Sequence, residues 1–251
     1  MDTPTTHAEC LKFWRQAEHK MHPSEWRKFT DAQYQRCKSD YLYWRQSALF
    51  CFSTDKDVGT MPMPCKPYNL WIHSYLENPT LKSKFFPKTR QMMISWEIAA
   101  YVMWFGQFHE DAESLVMNKQ ESESAYMVAV GRGKHGNSKG RSPGKGRGRI
   151  WTLYRNQPDW LKERCPAQDS YNLVDWHYGG VVQGMPQGEE QFQGHQPGLV
   201  WIDEAGFVDG FEAHYFACLP MVEVVIVSST PNGPDQYYRQ VMDRQETFGV
   251  N

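Results

Sequence analysis

The 251-residue chain has no apolar run long enough to cross a bilayer. Its mean hydropathy of −0.68 agrees, so a spanning helix is excluded. The first ten residues, MDTPTTHAEC, lack a basic start followed by an apolar stretch, and no secretory signal is read there. The six cysteines, at 10, 37, 51, 65, 165 and 218, form no C-x-x-C pair. That argues against a zinc ribbon and a disulfide framework, and free thiols in a reducing intracellular compartment are expected. Glycine is missing from 7–52, where Pro23 alone interrupts the chain. Aromatic residues, in contrast, are plentiful: 14% of the chain, with ten Trp. Disordered chains are poor in aromatics, so most of this chain folds, as one large domain or one with a small appendage.

Charge is unevenly placed. Residues 1–149 carry a net +7 and residues 150–251 a net −9, within an overall −2. The basic half suits a polyanion partner; equally, opposite charges can solvate different faces of one domain. Residues 131–149, GRGKHGNSKGRSPGKGRGR, hold seven Gly, seven Lys/Arg and no acid. Such a stretch buries no apolar surface and is expected to be a flexible insertion. Two readings stand side by side. Arg132, Lys134, Lys139, Arg141, Lys145, Arg147 and Arg149 form an electrostatic clamp on nucleic-acid phosphates, or the loop is merely solvated.

Along the chain, 7–52 reads as helical, with a break at Pro23 and Ser24 as a candidate N-cap. Residues 53–67 read as a loop and 68–76 as a short helix. Phe85 and Phe86 make a short apolar run, and 96–108 a strongly apolar, largely buried helix. Strands are expected at 114–117, 173–176, 180–182, 199–202 and 222–227, and helices at 121–130, 148–161 and 235–247. Strands alternating with helices predict an α/β fold with a mainly parallel central sheet flanked by helices. The expected organisation is an N-terminal helical segment over 1–60 and a second unit over 61–251.

The strongest chemical signal is L-V-W-I-D-E-A at 199–205, an apolar strand ending in two carboxylates. A buried strand fixes Asp203 at its carboxyl end, where it can hold Mg²⁺, and Glu204 can polarise an attacking water. Ligands belong at that edge of a parallel sheet. A second strand ends in S-S-T-P-N-G, placing Ser228, Ser229 and Thr230 where hydroxyls can sense a phosphate; an ordinary turn has the same composition. The standard phosphate loop, G-x-x-x-x-G-K-[ST], is absent. The Gly-Lys pairs of 131–149 are rejected as a substitute, because no apolar strand precedes them and no Ser/Thr follows the Lys. The better cradle is Lys88, Thr89, Arg90, Gln91, Met92, Met93, Ile94 and Ser95, which follows an apolar run and opens an apolar helix. Ser95 can supply a Mg²⁺ hydroxyl, and Lys88 or Arg90 the cation that phosphates need.

K-T-R-Q-M-M-I-S-W, V-W-I-D-E-A and S-S-T-P-N-G, in this order, resemble the ATPase half of the large terminase subunit of tailed phages. The resemblance covers about residues 41–240. It extends to Ala99, Tyr101 and Trp104 on the helix, to 114–125, to P-Q-G-E-E-Q at 186–191, and to PMPCKPY at 62–68, where the family contacts the base. It implies a P-loop NTPase of the ASCE, RecA-like type that binds ATP and Mg²⁺ and drives double-stranded DNA into a procapsid. By it, Lys88 is the displaced phosphate-loop lysine and Arg90 an arginine finger in cis. Ser95 and Asp203 hold Mg²⁺, Glu204 activates water, and Ser228, Ser229 and Thr230 couple hydrolysis to movement of DNA. Implied partners are double-stranded DNA, the portal protein of the procapsid, the small terminase subunit and a separate nuclease-bearing chain, with a homo-oligomeric ring and no membrane. The implied location is the host cytoplasm.

The sequence departs from the family pattern at Met93, where Gly is usual, at Ile94, where Lys is usual, and at 191–193, where an Arg is frequent. Met93 calls for a loop conformation open to a side chain. The family's C-terminal nuclease is not expected within 251 residues. A DEAD-box-like helicase fragment and a catalytically degenerate DNA- or portal-binding module stand as alternatives.

Overall fold

The structure is a computed structural model and describes residues 4–47, 50–55, 59–89, 93–130 and 147–232. The first helix, α1 (His7–Lys20), starts at Thr6, whose hydroxyl accepts from Glu9 N while the Glu9 carboxylate reaches back to Thr6 N. Both of these first-turn amides are thereby satisfied. The second, α2 (Pro23–Ser39), has Pro23 in its first turn, and its cap is His22 rather than Ser24. The His22 ring accepts from Ser24 N, and a proline just inside the start leaves the preceding residue to cap. The third, α3 (Tyr41–Gln46), is capped by Asp40, whose Oδ1 accepts from Tyr43 N at 2.7 Å.

The stretch expected to be a loop at 53–67 instead holds an antiparallel hairpin, β1 (Phe52–Asp55) and β2 (Gly59–Pro62). Helix α4 (Pro67–Leu76) leads to β3 (Ser83–Pro87), and the apolar helix α5 (Ile94–Phe108) to β4 (Glu113–Met117) and α6 (Glu121–Val128). The single helix expected at 148–161 is two, α7 (Arg149–Arg155) and α8 (Asp159–Arg164). Pro158, which lacks an N–H, separates them. Then follow β5 (Ala167–Asp169), β6 (Leu173–Trp176), β7 (Val181–Met185), β8 (Leu199–Asp203), α9 (Phe211–Cys218) and β9 (Val224–Ser229). The helix expected at 235–247 lies outside the described residues.

Seven strands form one sheet in the order β3-β9-β8-β4-β7-β6-β5. The contacts from β3 through β7 are parallel, and β6 and β5 extend the sheet antiparallel. The expected α/β class with a mainly parallel sheet is what is found. Because β8 is covered on both faces, all five of its residues are buried, and they alternate between two cores. Leu199 and Trp201 join α5, α7 and the N-terminal helices, while Val200 and Ile202 join α9 and the turn after β7.

The N-terminal helices share the first core: Trp14, Cys37, Tyr41 and Trp44 lie in the same cluster as Ile98, Trp151 and Trp201. The boundary expected at 60–61 falls inside β2. Among the described residues, which include all six cysteines, there is no disulfide; five of the six are buried and Cys65 is exposed. Among the described residues no helix is long and apolar enough to cross a membrane.

A buried charge cluster ties these layers together. Glu97, in the first turn of α5 and 1% exposed, accepts from Arg45 Nε at 2.7 Å and from Asn69 Nδ2 at 2.8 Å. Arg45 Nη2 pairs with its other oxygen, and His73 Nε2 lies 3.2 Å away. Burial would raise the Glu97 carboxyl, but the bonds from His73 and Arg45, with their charges, outweigh it and hold the carboxyl below its usual value. Arg45→Met leaves that carboxylate buried without its main partner, and unfolding stability near neutral pH falls by about 3–5 kcal/mol. The wild-type contribution is complete above the ordinary carboxyl value of 4.5 and is lost as pH falls below it. The gap between the two proteins therefore narrows below that pH, which urea titrations on either side of it check.

Candidate functional site

The expected site residues come from three strand ends and one helix start. Lys88 immediately follows β3, and its backbone N–H donates to Ser229 O at 2.9 Å, so the β3–β9 ladder runs up to the lysine itself. From this anchored position Lys88 Nζ donates to Asp203 Oδ1 at 2.6 Å and to Ser95 Oγ at 2.7 Å. Glu204 Oε1 is 3.2 Å away. Lys88 is 7% and Asp203 3% exposed, so this is a desolvated ion pair and strong only because its geometry is good. Ser95, in the first turn of α5, brings the helix start to the same point.

The three hydroxyls at the end of β9 reach the β8 terminus at different levels. Ser228 Oγ donates to Asp203 Oδ1 at 2.6 Å and accepts from Trp201 Nε1 at 2.9 Å. Ser229 Oγ accepts from Gly206 N at 2.9 Å. The Thr230 amide and hydroxyl both point at Glu204 Oε2, at 3.3 and 3.2 Å. The turn at Glu204 is thus held from the neighbouring strand by side chain and backbone.

Four described non-glycine residues, Met93, Asp111, Val130 and Glu204, have left-handed backbone, and two of them border this point. Glu204 has φ 50° and Met93 φ 56°, in the left-handed region that glycine prefers. The expectation of a loop open to a side chain is therefore corrected: Met93 keeps the glycine-like conformation and tolerates its cost. As N-cap of α5, Met93 makes no side-chain capping bond. The first-turn amides of a helix lack intrahelical partners, and an uncapped start is suited to an anion. Ile94, expected in the phosphate cradle, buries its side chain in the first core, so its contribution to the site is limited to its backbone. Thr89 is exposed at the loop's start. Arg90, Gln91 and Met92 lie outside the described residues.

A cleft of about 630 Å³ opens beside these groups, lined in part by Asn118 and Lys119 after β4, Tyr126 and Met127 of α6, and Asp203, Glu204 and Thr230. Arg149 also lines it. The sequence placed Arg149 in the flexible basic insertion. In the structure it is the first residue of α7, in the cleft beside the carboxylates. Arg147 is exposed. Arg132, Lys134, Lys139, Arg141 and Lys145 lie outside the described residues. Sequence reasoning also missed Asn232, whose Nδ2 donates to Gly206 O at 3.0 Å, and Trp201, whose indole orients Ser228. Asn232 stands in the S-S-T-P-N-G run, where its spacing from Ser229 carried the signal. Nothing in the pattern marks a strand tryptophan as a partner of the site.

Parallel strands whose carboxyl ends bring a lysine, hydroxyls and two carboxylates around one point define an α/β fold with its candidate site at the carboxyl edge of the sheet. No family model matches the sequence. Among solved structures the fold is similar to the large terminase of bacteriophage HK97, with a TM-score of 0.58 and 14% identity over 86% of this chain and 42% of that one. It is also similar to the large terminase of a thermophilic bacteriophage in complex with ADP, with a TM-score of 0.52 and 12% identity over 73% of this chain and 43% of that one. This chain thus matches less than half the length of either.

Met93→Gly keeps the left-handed backbone without a side chain, so its folding stability stays within about 1 kcal/mol of wild type. Met93→Val puts a β-branched residue at the same φ and loses more than about 1 kcal/mol. Thermal unfolding of both variants checks the contrast.

Proposed function

We propose that this chain is an ATP-hydrolysing motor domain of the large-terminase kind, coupling hydrolysis to movement of double-stranded DNA into a procapsid. One observation carries the reading. Lys88, Ser95, Asp203 and Glu204 meet within hydrogen-bonding or ion-pair distance at the carboxyl edge of a parallel sheet. The ADP-bound neighbour of similar fold supports nucleotide as the ligand.

Phosphoryl transfer needs positioning and charge neutralisation more than covalent chemistry. Lys88 is placed to neutralise phosphate charge, with Arg90 assigned beside it by resemblance. The N-terminus of α5 adds the partial positive charge of the helix dipole. Ser95 Oγ and Asp203 Oδ1 already converge on one cation, the Lys88 ammonium, and both are hard oxygen donors. They suit Mg²⁺, which binds through one or two protein oxygens plus substrate phosphates and waters. When bound, Mg²⁺ supplies further neutralisation of the phosphate oxygens. Glu204 is about a third exposed and lines the cleft, so its carboxylate can orient a water and take its proton. Thr230 bonds to that same carboxylate, and Ser228 to Asp203. A change at either acid therefore reaches β9 directly, which suits Ser228, Ser229 and Thr230 as coupling residues.

The finer assignments belong to the same proposal. They are double-stranded DNA as the translocated partner, the basic residues of 131–149 other than Arg149 as its phosphate contacts, a ring of copies at a portal with a small subunit and a nuclease-bearing chain, and the host cytoplasm as location. They rest on the ordered motifs and the similar fold.

Glu204→Gln removes the base while keeping shape, so phosphate release with DNA present falls at least about 100-fold and ATP still binds. Lys88→Ala removes a charge-assisted contact and weakens ATP binding by about tenfold or more. Phosphate-release assays and calorimetric titration with ATP measure these. Undiminished turnover in the first variant, or unchanged affinity in the second, would remove the assignment.

A further inference from the structure

Two cations of the cleft, Lys119 and Arg149, are not used by the motifs, and Arg149 is the less exposed of the two. Its guanidinium makes one hydrogen bond among the described residues, from Nη1 to Met127 Sδ at 2.8 Å, and lies 5.8 Å from the centre of the Trp96 ring. Both are weak partners for a group with five N–H donors. Among the described residues no carboxylate comes within ion-pair distance of it. Burial pulls the guanidinium below its usual value, and the charges of Asp203, Tyr126 and Glu204 act against that pull. Arg149 is half-buried at the wall of the cleft.

Its position is built rather than incidental. Gly148 N donates to Ala129 O at 2.7 Å, and a Cβ on Gly148 would lie 2.2 Å from Ala129 N. Only glycine lets the chain press so close to the end of α6, and the next residue is thereby delivered into the cleft. Arg149 is also the first residue of a helix, the end where a cation is disfavoured by the helix dipole. Helix stability therefore does not account for an arginine there. What the guanidinium shares the cleft with is Glu204, Asp203 and Thr230, the groups assigned above to water, Mg²⁺ and coupling.

We propose that Arg149 is a catalytic residue that contacts the terminal phosphate of a nucleoside triphosphate, in cis, from the α6–α7 side of the cleft. The proposal rests on the nucleotide reading above. A planar fork of donors matches two phosphate oxygens. Asp203 and Glu204 hold the guanidinium nearby without pairing with it, so its donors remain available. The site then distinguishes triphosphate from diphosphate by a contact that only the former completes.

The test compares the full chain and Arg149→Ala for binding of a non-hydrolysable ATP analogue and of ADP, for turnover, for thermal unfolding and for double-stranded DNA affinity. The expected result is at least about tenfold weaker analogue binding with ADP affinity and unfolding temperature unchanged. Turnover is expected to fall by about 10³-fold. Equal weakening of both nucleotides, or no change in either, overturns the proposal. So does a loss confined to DNA affinity, which would make the phosphate that of a nucleic-acid backbone. If Arg149→Ala does not fold, Arg149→Lys carries the comparison. It keeps charge but not the fork, so selectivity for the triphosphate drops, and unchanged selectivity overturns the assignment. Wild type that binds neither nucleotide shows instead, before any variant is made, that the nucleotide reading itself has failed.

Discussion

The start of α5 is the point on which the arrangement depends, and Glu97 fixes it. A carboxylate 1% exposed cannot stay ionised without partners, so Arg45, Asn69 and His73 must all be in place at once. Those partners come from α3 and α4, and Arg45 also donates to Pro64 O at 3.0 Å. The N-terminal helices, the chain leading into α4 and the helix bearing Ser95 are therefore locked to one another through a single side chain. Ser95 sits two residues before that lock, so its hydroxyl inherits the position.

From that fixed helix start the site closes by charge. Asp203 is offered by the middle of the sheet, Lys88 by its edge, and Ser228 by the strand between them. The order β3-β9-β8 matters here, because it makes β9 the neighbour of both the lysine strand and the carboxylate strand. A shift of one residue in either ladder would turn Ser228 to the opposite face of the sheet and break its bond to Asp203. Left-handed backbone at Glu204 persists beside this junction because β8 fixes the chain before it and Thr230 holds its carboxylate.

The parallel sheet was legible because each covered strand reads as an unbroken apolar run. L-V-W-I-D and V-V-I-V-S-S announce both the burial and the polar end that follows it. The site was legible for the same reason, since its residues are the polar ends of those runs. The β1–β2 hairpin was hidden because 53–67 is rich in Pro and turn formers, and its two short strands pair only with each other. The split between α7 and α8 turned on one proline inside an otherwise helical pattern. Arg149 was misplaced because composition assigns a residue to the segment it resembles. The close approach of Gly148 to α6, which removes Arg149 from that segment, is a contact between distant positions and leaves no local trace.

The position of the lysine at 88 and not at 94 follows from packing. Twelve of the fifteen residues of α5 are buried, Ile94 among them, so the first position of this helix belongs to the core. A lysine there would carry its ammonium toward apolar surface and away from Asp203, at a desolvation cost that no partner offsets. The cation has to come from elsewhere, and the end of β3 is both near and rigid. Because Lys88 N is bonded to Ser229 O, the lysine is part of the same ladder that carries the hydroxyls of β9. A lysine just before the serine would respond to the helix alone. A lysine at the strand end responds to the sheet, and any displacement of its ammonium is carried directly into the strand that also touches Asp203 and Glu204.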